Sequence, residues 1–197
     1  PKVLHPLAGR PMVMRVIDTA RQLKAERIHV VVGHGAEQVS AAIAAPVVTT
    51  YVQAEQLGTG HAALQAAPSC LPKSTVLVLY GDVPLLTTEV LSEVVNAASH
   101  SPVLLAATLD NPIGYGRVIR DSNGCFAKVV EQKDASPDEL AVVEVNTGVL
   151  AAQASELHSW LLQVTNDNVQ GEFYLPDVLG LALDDGREVS VVVTDRS

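Results

Sequence analysis

Short aliphatic, β-branched runs alternate along this chain with stretches whose apolar residues recur at helical spacing, and the short runs are apolar on both faces. A strand buried on both faces needs cover on both sides, so this order argues for a parallel sheet between layers of helices. Val13, Val16, Ile17, Ala20 and Leu23 mark the first helix, with Pro11 where a first-turn proline is tolerated. Residues 28–32 read as a strand ending at Gly33, 36–44 as a helix and 47–52 as a strand. A third helix starts near Gly58 to Gly60, and 75–79 is the next strand. Leu91, Val94, Val95 and Ala98 mark another helix before a strand over 103–108.

The pattern then changes. Residues 117–120 and 126–131 flank Asp121-Ser122-Asn123-Gly124, a turn-forming cluster that predicts a hairpin. A strand over 142–151 follows, then a helical stripe of Leu157, Trp160, Leu161 and Val164, a helix over 174–183 and a last strand near 189–193. The expected fold is α/β: a mostly parallel central sheet flanked by helices, with a partly antiparallel second half. Neither an internal repeat nor a low-complexity linker divides residues 1–197.

Charge and composition narrow the function. Hydrophobic residues make up 48% of the chain and aromatics 4%, which describes a packed aliphatic core and not a disordered segment. The net charge of −9 argues against nucleic acid as a partner, since phosphate backbones bind basic faces. A phosphorylated small molecule would need local cations, from lysine or Mg2+. No apolar run reaches the roughly 18 residues of a membrane span, and the start lacks the apolar segment of a signal peptide. Cys70 and Cys125 fit no metal spacing. Two reduced cysteines in a soluble cytoplasmic protein are the expectation.

Ligands of open parallel sheets bind at the carboxyl ends of strands, and this rule selects three segments. Tyr80-Gly81-Asp82-Val83-Pro84 follows the strand over 75–79; Asp82 there could hold Mg2+ against a phosphate, or cap a turn or the helix beginning near Thr87. Gln53-Ala54-Glu55-Gln56-Leu57-Gly58-Thr59-Gly60-His61 combines helix-start glycines with an amide suited to a base edge, although an ordinary loop-to-helix turn explains the glycines too. Glu131 and Asn146 lie on what read as neighbouring antiparallel strands. They supply an acceptor carboxylate and an amide for sugar hydroxyls and an acetamido group, or else sit on a solvated sheet face. Gly33-His34-Gly35 lacks the third glycine of a dinucleotide fingerprint, Gln38 standing in its place, and no P-loop is present.

Pro1-Lys2-Val3-Leu4, the 53–62 block, Tyr80-Gly81-Asp82-Val83-Pro84-Leu85, Gly114-Tyr115-Gly116-Arg117, Val130-Glu131-Gln132-Lys133-Asp134, Asn146-Thr147-Gly148 and Gln170-Gly171-Glu172-Phe173-Tyr174 occur in this order. Together they resemble bacterial N-acetylglucosamine-1-phosphate uridyltransferases, the N-terminal half of bifunctional enzymes that also carry glucosamine-1-phosphate acetyltransferase activity. The resemblance implies a Rossmann-like sugar-nucleotidyltransferase fold. It implies that UTP and N-acetylglucosamine 1-phosphate give UDP-N-acetylglucosamine and pyrophosphate with Mg2+, in the supply of cell-envelope precursors. In that scheme Lys2 lies against the phosphates and Asp82 binds the metal. Gln53, Gly58 and Thr59 hold the uracil, and Tyr80, Gly81, Gly116, Glu131 and Asn146 line the sugar side.

The family pattern also has a glycine-rich loop and strand before Pro-Lys-Val-Leu, an asparagine metal ligand beyond the last strand, and a trimerising β-helix acetyltransferase domain. None of these is in the 197 residues. If these residues are a portion of a longer protein, an active uridyltransferase is expected; if they are all there is, the expectation is an open strand slot in the sheet and weak or no turnover, or a non-catalytic remnant that binds a sugar nucleotide. A nucleotidyltransferase for a different sugar phosphate is the other alternative.

Overall fold

In the computed structural model, residues 1–194 are described. A short hairpin, β1 (Pro6–Leu7) and β2 (Arg10–Pro11), leads into α1 (Met12–Gln22), β3 (Ile28–Val32), α2 (Ala36–Ile43), β4 (Val48–Val52), α3 (Thr59–Ala66) and β5 (Thr75–Val78). Next come α4 (Thr88–Ala97), β6 (Val103–Thr108), β7 (Arg117–Arg120), β8 (Phe126–Val130) and α5 (Pro137–Leu140). The chain continues through β9 (Glu144–Gln153), α6 (Ala154–Leu161), α7 (Asp177–Asp184) and β10 (Ser190–Thr194). The α/β expectation holds: β3 and β4 are parallel, as are β6 and β10, and β5 runs with β6 because β9 is antiparallel to both.

Strand β9 organises the larger sheet. One of its edges pairs with β6, while the other meets β7 at Val145 and β5 from Leu150 to Gln153. Between these partners the register with β6 slips, Leu104 facing Leu150 but Ala106 facing Asn146. The bulge therefore falls on Thr147, Gly148 and Val149. A bulge re-aims side chains and opens a sheet where the edge changes partner, which is where ligand crevices form.

Alternation along β6 sorts the core into two layers. Leu104 and Ala106 pack with Leu150, Trp160, Leu175 and Leu179 beneath α6 and α7, whereas Val103 and Leu105 pack with Leu91, Val94 and Ala151 beneath α4. Each fully buried leucine is stabilised by about 2 kcal/mol relative to exposure. Trp160, almost wholly buried, satisfies its indole N–H by donating to Asp185 Oδ2 at 2.7 Å. A third cluster joins Val13 and Ile17 of α1 to Val32, Val39 and Ile43. Among the described residues β3 pairs only with β4, and β5 only with β9. Helix α3 lies against both: it contacts β3, and its Ala63 and Leu64 pack on the cluster that Val76 and Val78 of β5 join.

Three sequence expectations are corrected. The helix expected from 174 begins at Asp177, because Tyr174 and Leu175 turn back toward α3 and Pro176 precedes the first helical turn. The strand expected from 142 begins at Glu144. Finally, β8 and β9 are not neighbours. Strand β7 lies between them, Arg117 facing both Val130 and Val145, so Glu131 and Asn146 are brought together across a third strand.

Candidate active site

The site forms around the β9 bulge, from loops that leave the ends of β4, β5 and β8. Lys2 sits on a single 3₁₀ turn, Lys2–Leu4, whose Val3 and Leu4 pack against the α1 cluster. Its Nζ donates to Asp82 Oδ2 at 2.8 Å, with 72% of the lysine side chain exposed. This hydrogen bond and the carboxylate's charge hold the ammonium above its ordinary range. Gly81, beside Asp82, packs near Val3 and Val13, so the loop after β5 rests on the turn that carries Lys2.

Asp82 offers its second oxygen, to which no described group hydrogen-bonds. Among the described residues no three His, Cys, Asp or Glu side chains gather to enclose a metal ion. One carboxylate at a strand end suits a hard divalent ion that keeps water and takes phosphate oxygens as its remaining ligands.

Tyr80 occupies the centre. Gly148 has φ +84°, and a Cβ there would lie 2.5 Å from the Tyr80 ring, so both the bulge conformation and the ring's seat require glycine. Burial pushes the Tyr80 hydroxyl's pKa up, the Thr59 side chain opposes this through a hydrogen bond, and the Glu131 and Asp82 charges add to the rise. Tyr80 thus stands between the loops that carry Thr59, Asp82 and Glu131.

The other side is a polar corner. Gly116 precedes β7, and a Cβ on it would lie 2.9 Å from Glu131 Oε1, so glycine gives the carboxylate its place. The Asn146 N–H donates to the Gly116 carbonyl at 2.8 Å, while Asn146 Oδ1 accepts from the Gly148 N–H at 2.8 Å. Asn146 Oδ1 keeps a second lone pair, and its Nδ2 hydrogens bond no described group. A cavity of about 220 Å³ beside Glu131 is lined by Asp134, Asp167, Asn168, Tyr174 and Asp177. Burial, then the Asp177 and Asp134 charges, raise the Glu131 pKa. Burial, then Asp134, lifts Asp177 to about 6.

Gln53 differs from the expected base reader. It is only 8% exposed, and its Nε2 donates to the Gly58 carbonyl at 3.0 Å and lies 2.9 Å from His61 Nδ1. Its donor face shapes the turn, and Oε1 is the face left for a ligand. Gly58 and Gly60 also have a local cause. A Cβ on Gly58 would lie 2.6 Å from the Phe173 carbonyl oxygen, and one on Gly60 would lie 3.0 Å from it. Among the described residues no hydrogen bond joins the 53–59 loop to Lys2 or Asp82.

With this geometry in view, the first 129 residues match the model of the MobA-like NTP transferase domain. The chain belongs to that family. It is a nucleotidyltransferase domain. It is 56% identical over 190 residues to the bifunctional protein GlmU of Burkholderia orbicola (strain MC0-3), covering 96% of this chain and 42% of that protein. With the Burkholderia mallei (strain SAVP1) protein of the same name it shares 54% over 196 residues, covering 99% and 43%. The chain thus spans less than half the length of these relatives. A crystal structure of UDP-glucose pyrophosphorylase complexed with UDP-glucose superposes with a TM-score of 0.79 at 13% identity, covering 97% of this chain and 82% of that one; the likeness is one of fold.

Two features of this family member escape a reading of motifs. Arg117 is 2% exposed; its guanidinium donates to the Tyr115 carbonyl, and its Nε is buried without a partner among the described residues. Its position at the end of a glycine-rich turn gave no sign of burial. The second is the carboxyl cluster, in which Asp177 joins Glu131 and Asp134 from a helix 46 positions after Glu131. Asp177 belongs to no quoted motif.

Proposed function

We propose that this domain joins the uridylyl group of UTP to N-acetylglucosamine 1-phosphate, giving UDP-N-acetylglucosamine and pyrophosphate. The observation that carries this reading is the convergence on Tyr80 of a cationic end, Lys2 beside Asp82, and an acceptor-rich corner, Glu131 beside Asn146. A phosphate oxygen of the sugar phosphate attacks the α-phosphorus of UTP; that P–O bond forms as the bond to the bridging oxygen breaks, and pyrophosphate leaves. The nucleophile is already anionic, so alignment and charge neutralisation do the catalytic work and no general base is required. Mg2+ held by Asp82 supplies part of that neutralisation when bound.

Lys2 neutralises the triphosphate, and Gly58, Thr59 and the Gln53 carbonyl hold the uracil. Glu131 accepts from sugar hydroxyls against Gly116, with Tyr80 and Gly81 closing the floor. The Asn146 amide hydrogens suit a carbonyl such as that of an acetamido group. Residues 1–197 form the uridyltransferase unit in this reading, working in the cytoplasm to supply precursors of peptidoglycan and lipopolysaccharide. No helix among the described residues is long and apolar enough to cross a membrane. Assembly into trimers through a further domain is part of the same proposal.

Pyrophosphate release from UTP plus N-acetylglucosamine 1-phosphate, with Mg2+ and then with a chelator, tests the reaction. Chelator-sensitive release that disappears in Asp82→Ala is the expected result. Release indifferent to both would remove Asp82 from the metal site, and a well-folded but inert protein would favour the binding remnant. Release with another sugar phosphate in preference would redirect the sugar assignment.

A further inference from the structure

Residues 168–175 touch both halves of the site. At one end the Val169 N–H donates to Asp134 Oδ1 at 3.0 Å, and Gln170 Oε1 accepts from Lys133 Nζ at 2.6 Å. Gln170 Nε2 donates to the Tyr174 hydroxyl at 2.8 Å, and that hydroxyl reaches Asp134 Oδ2 at 3.4 Å. These bonds hold the loop that begins at Glu131. At the other end the Phe173 N–H donates to the Leu57 carbonyl and the Gly60 N–H to the Phe173 carbonyl, both at 2.8 Å; the Leu175 N–H donates to Thr59 Oγ1 at 3.0 Å. Those bonds hold the 57–60 turn.

The segment between is stiff. Asn168 Oδ1 accepts from the N–H groups of Gln170 and Glu172, both at 3.2 Å, and Asn168 Nδ2 donates to the Glu172 carbonyl at 2.6 Å. Because Gly58 and Gly60 meet the Phe173 backbone without side chains between, little slack separates the segment from the turn. A displacement of Gln170 has only a few rigid residues to cross before it reaches Thr59.

We infer that residues 168–175 are a strap that couples the nucleotide-side turn to the sugar-side loop, with Gln170 and Asn168 as positioning residues. This rests on the assignment of those two loops to the two substrates made above. Filling one half-site fixes the position of the strap, and the strap held there presents the other half-site already formed. Linkage makes the effect reciprocal, so each substrate tightens the other.

Amide hydrogen exchange on the full chain tests this, with Gln170→Ala as the variant and Lys133→Met as a second in case the first folds poorly. In wild type, UTP alone should slow exchange at Gly60 and also at Val169 and Asp134. In Gln170→Ala the slowing should stop at Gly60. UTP-induced protection confined to Gly60 in wild type, or reaching Val169 and Asp134 equally in both proteins, overturns the strap.

The ligand-free comparison judges the strap separately from the substrate assignment. Gln170→Ala removes the bonds to Lys133 and Tyr174 and should speed exchange at Gly60 and Phe173 roughly fivefold to tenfold, although the bonds of those amides are not edited. Unchanged exchange there, with faster exchange only at 168–171, would reduce Gln170 to a local brace. A wild type that ignores UTP would defeat the functional reading, and the ligand-free arm would still decide the strap.

Discussion

The two ends of the site are prepared in opposite ways. At Lys2 and Asp82 unlike charges lie paired and open to solvent, resting on a 3₁₀ turn and a strand-end loop. At Glu131, Asp134 and Asp177 like charges crowd beside a cavity, and burial raises the pKa of Glu131 and Asp177. An exposed ion pair contributes little to stability and exchanges partners readily, which suits the phosphate-accepting role proposed for this end. A half-buried carboxyl cluster costs stability and offers acceptors to the sugar proposed for this end. The contrast is between an end built to be rearranged and an end built to be waiting.

Substitutions can break that contrast, and the largest effect belongs to the open end. Asp82→Ala should lower turnover by roughly a hundredfold or more while leaving the melting temperature nearly unchanged, since it removes charge placement and not packing. An equal loss of stability would mean that the pair holds the fold together. Next comes the hinge between the ends, Gly148. Alanine there must adopt φ +84° and displace the Tyr80 ring, so denaturant unfolding should show a loss of about 2–3 kcal/mol. Retention of full stability would mean that the bulge relaxes freely.

Asn146→Ala should raise the KM for the sugar phosphate about tenfold, the scale of one hydrogen bond to a neutral acceptor, with a smaller change for UTP. Equal changes for both substrates would mark Asn146 as a support for Gly116 and Gly148. The smallest effect is at the waiting end. The Asp177 pKa is raised to about 6 in the folded protein, against an ordinary aspartate value of 3.8. Between those values the unfolded chain binds fewer protons, so this group lowers stability as pH rises from about 4 to about 6, and the loss persists above. Asp177→Asn should therefore stabilise by about 1 kcal/mol near pH 7, with the advantage shrinking as pH falls through that window. An advantage independent of pH would trace to packing instead.

Local periodicity made the layers legible. Val13 and Ile17, Leu91 and Val94, and the alternating β6 residues all turn inward as their spacing predicts. Strand-end placement drew attention to Asp82, and the structure sets Lys2 beside it across 80 positions of chain. Relations fixed by a third element were not legible. Nothing in the 126–131 and 142–151 segments reveals that β7 inserts between them, because hairpin patterning does not say which outer edge a third strand takes. The Gly58-Thr59-Gly60 turn suggests a ligand loop, yet Phe173 backbone fills the space those glycines leave, more than a hundred residues away. Gln53 reads as a free amide until His61 and Gly58 claim its nitrogen.

The small cluster around α1 has a consequence for heating. The α1, α2 and β3 side chains form their own cluster, which meets the rest of the described residues through α3, through α1 against α4, through Gly81 near Val3 and Val13, and through Lys2 reaching Asp82. A cluster with few buried apolar contacts opens locally at lower free energy than a large one, and the Lys2 turn packs on this one. Activity should then be lost on warming while the environment of Trp160, buried in the larger cluster, still reports an intact core. Inactivation and melting would be two different events in this molecule.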